Sequence, residues 1–258
     1  AGSVVAVGDG VTELTVGDTV AWCTQPGSYA ERVSLDPGAV AQVPNGVSAD
    51  VAAAVMLQGM TAHYLAIDTY PLQPGDKCLV HAGAGGVGLL LIQIAKLRGA
   101  EVFTTVGTPE KAELASAAGA DHTILYRDVD FGAEVARIAG ERALDVVYDG
   151  VGQSVFRRSL DLLRPRGVMA SFGNASGPPE PIAPLELAPS LYLTRPSLFH
   201  YVMAPDAFQR RADDLFAWIA AGQLDVRIGE THPLADAAEA HRRLEGRLTT
   251  GKVLLRAS

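Results

Sequence analysis

The stretch His81-Ala82-Gly83-Ala84-Gly85-Gly86-Val87-Gly88 sets glycines at 83, 85 and 88 in the pattern G-x-G-x-x-G. Glycines at that spacing permit a tight turn and a close approach of the backbone to a pyrophosphate. A helix that starts there offers free N–H groups to the phosphate charge. The chemistry is therefore dinucleotide binding, and the alternative is a flexible glycine-rich loop. A carboxylate about 20 residues beyond the glycines would bond a ribose 2′-hydroxyl. There the chain reads Thr104-Thr105-Val106-Gly107-Thr108-Pro109-Glu110-Lys111, with no acid at the strand tip. A 2′-phosphate would instead find the Thr108 hydroxyl, the amides of a starting helix and Lys111 one turn in. One charge-assisted hydrogen bond contributes about 1.5–3 kcal/mol, which favours the phosphorylated nicotinamide cofactor. In the alternative, Lys111 solvates a helix face and Glu110 takes the ribose.

Searches for other chemistry come up empty. Histidines stand at 63, 81, 122, 200, 232 and 241, with no i, i+4 pair around an acid. His81 and His241 read as structural or solvated rather than as ligands. Two cysteines, Cys23 and Cys78, exclude a disulfide scaffold and a four-thiolate metal cage, and both read as small hydrophobes on strands. No G-x-S-x-G elbow supports a hydrolase.

The elements that position the glycine turn alternate. Short apolar strands are predicted at 77–82, 101–106, 122–126, 144–149 and 167–172, with helices at 87–98, 109–118, 131–139 and 154–163 between them. Such units require a parallel sheet covered by helices on both faces, the doubly wound α/β class. Five prolines within 178–189 predict an irregular loop before a strand at 190–194. Helices at 206–221 and 235–245 and a strand at 252–256 end the chain. Upstream, strands are predicted around 4–7, 16–22, 29–33 and 40–43, followed by a helix at 50–57.

Composition narrows the partners. Of 258 residues, 48% are apolar and 19% charged, enough for a sizeable core. A formal charge of −8 gives no electrostatic footprint for nucleic acid or an anionic membrane. The longest apolar run, 87–95, is too short to span a bilayer, and no leader opens the chain, so a cytoplasmic location with reduced thiols is expected.

Four segments together resemble a known group: 80–88, Val147-Tyr148-Asp149-Gly150-Val151-Gly152, Ser171-Phe172-Gly173-Asn174-Ala175-Ser176-Gly177, and Leu191-Tyr192-Leu193-Thr194-Arg195-Pro196-Ser197. They resemble the zinc-free quinone oxidoreductases, the zeta-crystallin-like branch of the medium-chain dehydrogenase/reductase superfamily. The resemblance implies a Rossmann NADPH-binding domain at 59–199 and a partial GroES-like β substrate domain at 1–58 and 200–258. It further implies that the first strands of that β domain are missing. No cysteine lobe follows Trp22, so the zinc-free branch is the one implied.

By the same resemblance Thr61 contacts the nicotinamide side, and Gly85, Gly86 and Val87 sit over the pyrophosphate. Gly107, Thr108 and Lys111 meet the 2′-phosphate, with Tyr126 near the adenosine phosphate. Phe172, Gly173 and Asn174 line the nicotinamide ribose and ring, Val151 belongs to the same set, and Arg195 with Arg247 approaches from the rim. The residues alone also allow Tyr126 as a core aromatic, Phe172 as a plain sheet residue and Arg247 as a solvated charge.

The implied reaction is metal-free hydride transfer from NADPH to a quinone or similar electron-poor acceptor by a homodimer joined through Ser190 to Thr194. That strand is apolar and is expected at a sheet edge. No catalytic side chain is demanded, since a quinone can take protons from solvent. The alternatives are an enoyl or enone reductase on the same scaffold and a non-catalytic NADPH-binding protein.

Overall fold

A computed structural model describes residues 1–246 and 248–257, and the chain divides into two compact units, Ala1–Thr61 with Leu198–Ser258, and Ala62–Ser197. The first unit opens with a three-stranded antiparallel sheet, β1 (Gly2–Ser3), β2 (Thr19–Ala21) and β3 (Ala41–Gln42). Helix α1 (Ala49–Tyr64) follows. Burial of Met56, Met60, Ala62 and Tyr64 extends this helix well past the predicted 50–57, overriding the weak helix propensity of Gly59 and Thr61. No strand forms at 29–33, where Tyr29 is exposed and its hydroxyl lies 2.9 Å from His241 Nε2. The predicted strand at 4–7 is absent too, with Val5 and Val7 facing solvent.

The second unit is a six-stranded, wholly parallel sheet. In chain order it comprises β4 (Lys77–His81), α2 (Gly86–Leu97), β5 (Glu101–Val106), α3 (Pro109–Ala117), β6 (His122–Leu125), α4 (Phe131–Ala139), β7 (Leu144–Asp149), α5 (Phe156–Leu160), β8 (Leu163–Ser171) and β9 (Tyr192–Thr194). The spatial order β6-β5-β4-β7-β8-β9 reverses direction between β4 and β7. At that switch point the carboxyl ends of the strands open a crevice, where α/β sheets bind ligands.

The strands read as apolar runs because both faces are covered. Leu79, Phe103, Val147 and Met169 pack with Phe131, Val135, Phe156 and Leu160 of α4 and α5. Helix α2 buries Leu89, Leu90, Leu91, Ile92 and Ile94. Helix α5 is shorter than the predicted 154–163. Leu162 and Leu163 are instead drawn into the sheet, where Leu144 N–H donates to the Leu162 carbonyl and Leu163 pairs with Leu144.

The chain returns to the first unit with α6 (Leu198–Tyr201), α7 (Pro205–Ala220), β10 (Ile228–Pro233), α8 (Ala237–Glu245) and β11 (Lys252–Arg256). Strand β10 pairs in parallel with β11. Its sequence Ile-Gly-Glu-Thr-His-Pro gave no strand signal, because its stability comes from a partner some two dozen residues on. Among the described residues, no helix is long and apolar enough to cross a membrane.

Candidate cofactor site

Each of the six parallel strands delivers a candidate residue just past its carboxyl end. These are the glycine turn after β4, Gly107 after β5, Tyr126 after β6, Gly150 and Val151 after β7, Phe172 and Gly173 after β8, and Arg195 after β9. The sequence spreads them over more than a hundred positions, and the sheet brings them to one edge.

The turn after β4 is tight. Ala82 takes φ 56°, the left-handed region that L-residues disfavour. A methyl group on Gly88 would stand 2.4 Å from the Ala82 carbonyl oxygen and 2.8 Å from Gly83 Cα. The backbone thus doubles back on itself before α2 begins. Gly85 is the N-cap and supplies no side-chain acceptor, so the first-turn amides at Gly86, Val87 and Gly88 receive no capping oxygen. This is a cradle for an anionic group.

Beneath it, His81 is buried and bonded on both nitrogens, 2.9 Å from Thr105 Oγ1 and 2.8 Å from Ser159 Oγ. Ser159 Oγ donates to the Val155 carbonyl, so it accepts from His81 Nε2–H, and His81 Nδ1 accepts from the Thr105 hydroxyl. Burial pushes the His81 pKa down to about 3, which keeps the ring neutral and structural.

At the tip of β5, Thr108 caps α3 by accepting from the Lys111 N–H at 3.4 Å. The Thr108 hydroxyl beside Glu110 holds that carboxyl below its ordinary value. Tyr126 follows β6 with its N–H on the Val106 carbonyl. Its hydroxyl would stand 2.9 Å from a methyl placed on Gly107, so the phenol tip lies directly over the Gly107 backbone. Tyr126 is 42% exposed and overhangs the tip, so the core-aromatic alternative does not hold.

The ends of β7 and β8 interlock. Asp149 is fully buried, and its Oδ1 accepts from the Val151 and Gly152 N–H groups at 2.7 and 2.8 Å. Burial raises the Asp149 carboxyl above its ordinary pKa of 3.8. The main chain of Gly150 fills the space a Gly173 side chain would need, and the Phe172 ring lies against Gly150. Asn174 is exposed beside Gly152. Arg195 reaches back to donate to the Ser171 carbonyl at 2.6 Å. The sequence reading did not single out Asp149, although an acid closing an apolar parallel strand is a usable signal.

Thr61 belongs to the first unit, on α1, with its hydroxyl donating to the Leu57 carbonyl at 2.7 Å. Arg247 lies outside the described residues.

A family model described as zinc-binding dehydrogenase matches residues 86–220. A quinone oxidoreductase of Pseudomonas aeruginosa is 43% identical over 99% of this chain and 79% of its own length. The chain belongs to the quinone oxidoreductase family. A 2-haloacrylate reductase of a Burkholderia species is 41% identical over 96% of this chain and 77% of its own. The crystal structure of Escherichia coli quinone oxidoreductase complexed with NADPH superposes with a TM-score of 0.95 at 40% identity, covering 98% of this chain and 79% of that one.

The family model's description names zinc, for which the described residues offer no matching donor set. Among the described residues no group of three or more His, Cys, Asp or Glu could hold a metal. Both cysteines are buried free thiols: Cys78 on β4 packs in the sheet as the sequence predicts, whereas Cys23 follows β2 in a bend. Burial raises the Cys23 thiol to about 11, so it is protonated at neutral pH. The glycine cradle after β4, by contrast, fits the pyrophosphate of a dinucleotide.

Proposed function

We propose that this chain binds NADPH along the carboxyl edge of its parallel sheet and serves hydride transfer to a quinone or similar electron-poor acceptor without a metal. The observation that carries this reading is the convergence of six strand ends on one edge, with a backbone cradle after β4 and an acid-free tip after β5. The NADPH complex of the E. coli relative supports it.

In this reading the α2 amides at Gly86 and Val87, with Gly85, hold the pyrophosphate. Gly107, Thr108, Lys111 and Tyr126 hold the ribose 2′-phosphate. Val151, Phe172, Gly173 and Asn174 line the nicotinamide end, and Arg195 closes the rim. Bound there, the cofactor supplies a hydride from its nicotinamide ring. The protein's work is to orient that ring and exclude water. His81 is held neutral by burial and acts as a strut under the turn rather than as an acid. The first unit is the proposed substrate domain, and the cytoplasm, with its reduced thiols, is the proposed setting.

Fluorescence titration with NADPH and NADH tests the cofactor assignment. NADPH is expected to bind about ten- to hundredfold more tightly, and Lys111→Ala is expected to remove most of that preference. Quinone turnover that survives prolonged chelation is expected as well. Equal affinities for the two cofactors would refute the reading. A relative named 2-haloacrylate reductase, whose substrate is an activated alkene, favours an enone or enoyl acceptor as the second reading. Steady-state rates on a quinone and on an enoyl thioester separate the two.

We also propose a homodimer through 190–194. Strand β9 is the sheet edge, and Tyr192 and Leu193 are 58% and 39% exposed, so an unpaired apolar strand is available to a twofold mate. Leu193→Glu would set like charges against each other across such an interface and is expected to yield monomers by light scattering. A persistent dimer would point to another surface.

A further inference from the structure

We propose that Arg127 is a specificity-determining residue for the cofactor's 2′-phosphate, an inference that rests on the NADPH reading above. Strands β5 and β6 pair Val106 with Leu125, so the residues that follow, Gly107 and Tyr126-Arg127, leave the sheet side by side. A methyl placed on Gly107 would lie 2.9 Å from Tyr126 Oη and 3.4 Å from Arg127 Nε. A phenol hydroxyl and a guanidinium therefore converge over the bare backbone of the β5 tip, opposite the α3 start that carries Thr108 and Lys111. The group that fits between such donors is an anion.

Arg127 is exposed and uncommitted. Arg137, Arg157, Arg158 and Arg164 of the same unit each pair with a carboxylate, whereas no hydrogen bond or ion pair of the Arg127 side chain occurs among the described residues. A guanidinium presents parallel N–H donors that match two phosphate oxygens, which a lysine ammonium cannot do. Arg127 would thus supply the planar contact and Lys111 a point charge, from two different elements.

The test is fluorescence titration of the wild-type chain, Arg127→Ala and Arg127→Lys with NADPH and NADH. Arg127→Ala is expected to weaken NADPH about tenfold, the low end for a charge-assisted bond at an exposed site, with NADH unchanged. Arg127→Lys is expected to recover part of that loss. A wild-type preference for NADPH that Arg127→Ala leaves intact, or an equal loss for both cofactors, would overturn the Arg127 assignment alone. A wild-type chain with no preference for NADPH would overturn the cofactor reading itself.

Discussion

Gly88→Ala is expected to lower NADPH affinity at least about a hundredfold and to destabilise the protein by about 1–3 kcal/mol. The atoms a Gly88 methyl would strike, the Ala82 carbonyl oxygen at 2.4 Å and Gly83 Cα and C at 2.8 and 2.9 Å, are all main chain. None can rotate away, and the turn is already constrained by Ala82 at φ 56°. Alanine in a helix gains about 1 kcal/mol of intrinsic propensity over glycine, which is too little to offset the collision. Opening the turn would pull the α2 amides off the pyrophosphate position. Gly85→Ala makes the contrast, since its methyl would meet one atom within 4 Å, the Ala82 oxygen at 3.1 Å, and a shift of a few tenths of an ångström relieves it. Thermal unfolding and NADPH titration of both variants check the difference. A Gly88→Ala protein with wild-type affinity would mean the turn is not the cradle.

Asp149→Ala is expected to cost about 2 kcal/mol and to raise the KM for NADPH, because it orphans the Val151 and Gly152 N–H groups in the interior. Part of that loss is returned by removing a poorly solvated carboxylate. Asp149→Asn retains an acceptor oxygen for both amides and is expected to stay within about 1 kcal/mol of wild type at pH 4. The two should diverge with pH. Burial raises the folded pKa of Asp149 above 3.8, so the unfolded chain loses this proton first. Wild-type stability from this group therefore falls as pH climbs from 3.8 through the folded pKa, while the asparagine variant is insensitive. Denaturant unfolding at pH 4 and pH 7 measures it. A stability difference between the two proteins that stays constant with pH would remove the buried carboxylate from this account.

Much of the second unit was legible locally. The strands Glu101–Val106 and Leu144–Asp149 and the helix Phe131–Ala139 fall on the predicted residues. Strands buried on both faces have to be uninterrupted apolar runs, and the turns between them have to carry Gly, Pro, Asp or Thr where caps are needed. The glycine turn was legible for the same reason, since its demands on backbone space are met within eight residues. The first unit was less legible. Its strands are two or three residues long, or, like Ile228–Pro233, polar and supported by distant pairing, so neither apolar pattern nor alternation marks them.

The sequence by itself determined that a doubly wound sheet would form and that a tight glycine turn would stand after its first strand, because both follow from short-range pattern and sterics. Tertiary structure alone decided the company each candidate keeps. That Tyr126 overhangs Gly107 with Arg127 beside it follows from the β5–β6 register. That His81 is a buried strut bonded on both ring nitrogens follows from Thr105 and Ser159 arriving from different elements. That Asp149 holds the Val151 loop while the main chains at Gly150 and Gly173 touch follows from β7 and β8 ending together. Apart from the local Asp149 bonds, these contacts join residues distant in sequence, such as His81 and Ser159, and their geometry is set by how strands align in the sheet, a property carried by the whole unit rather than by any one segment.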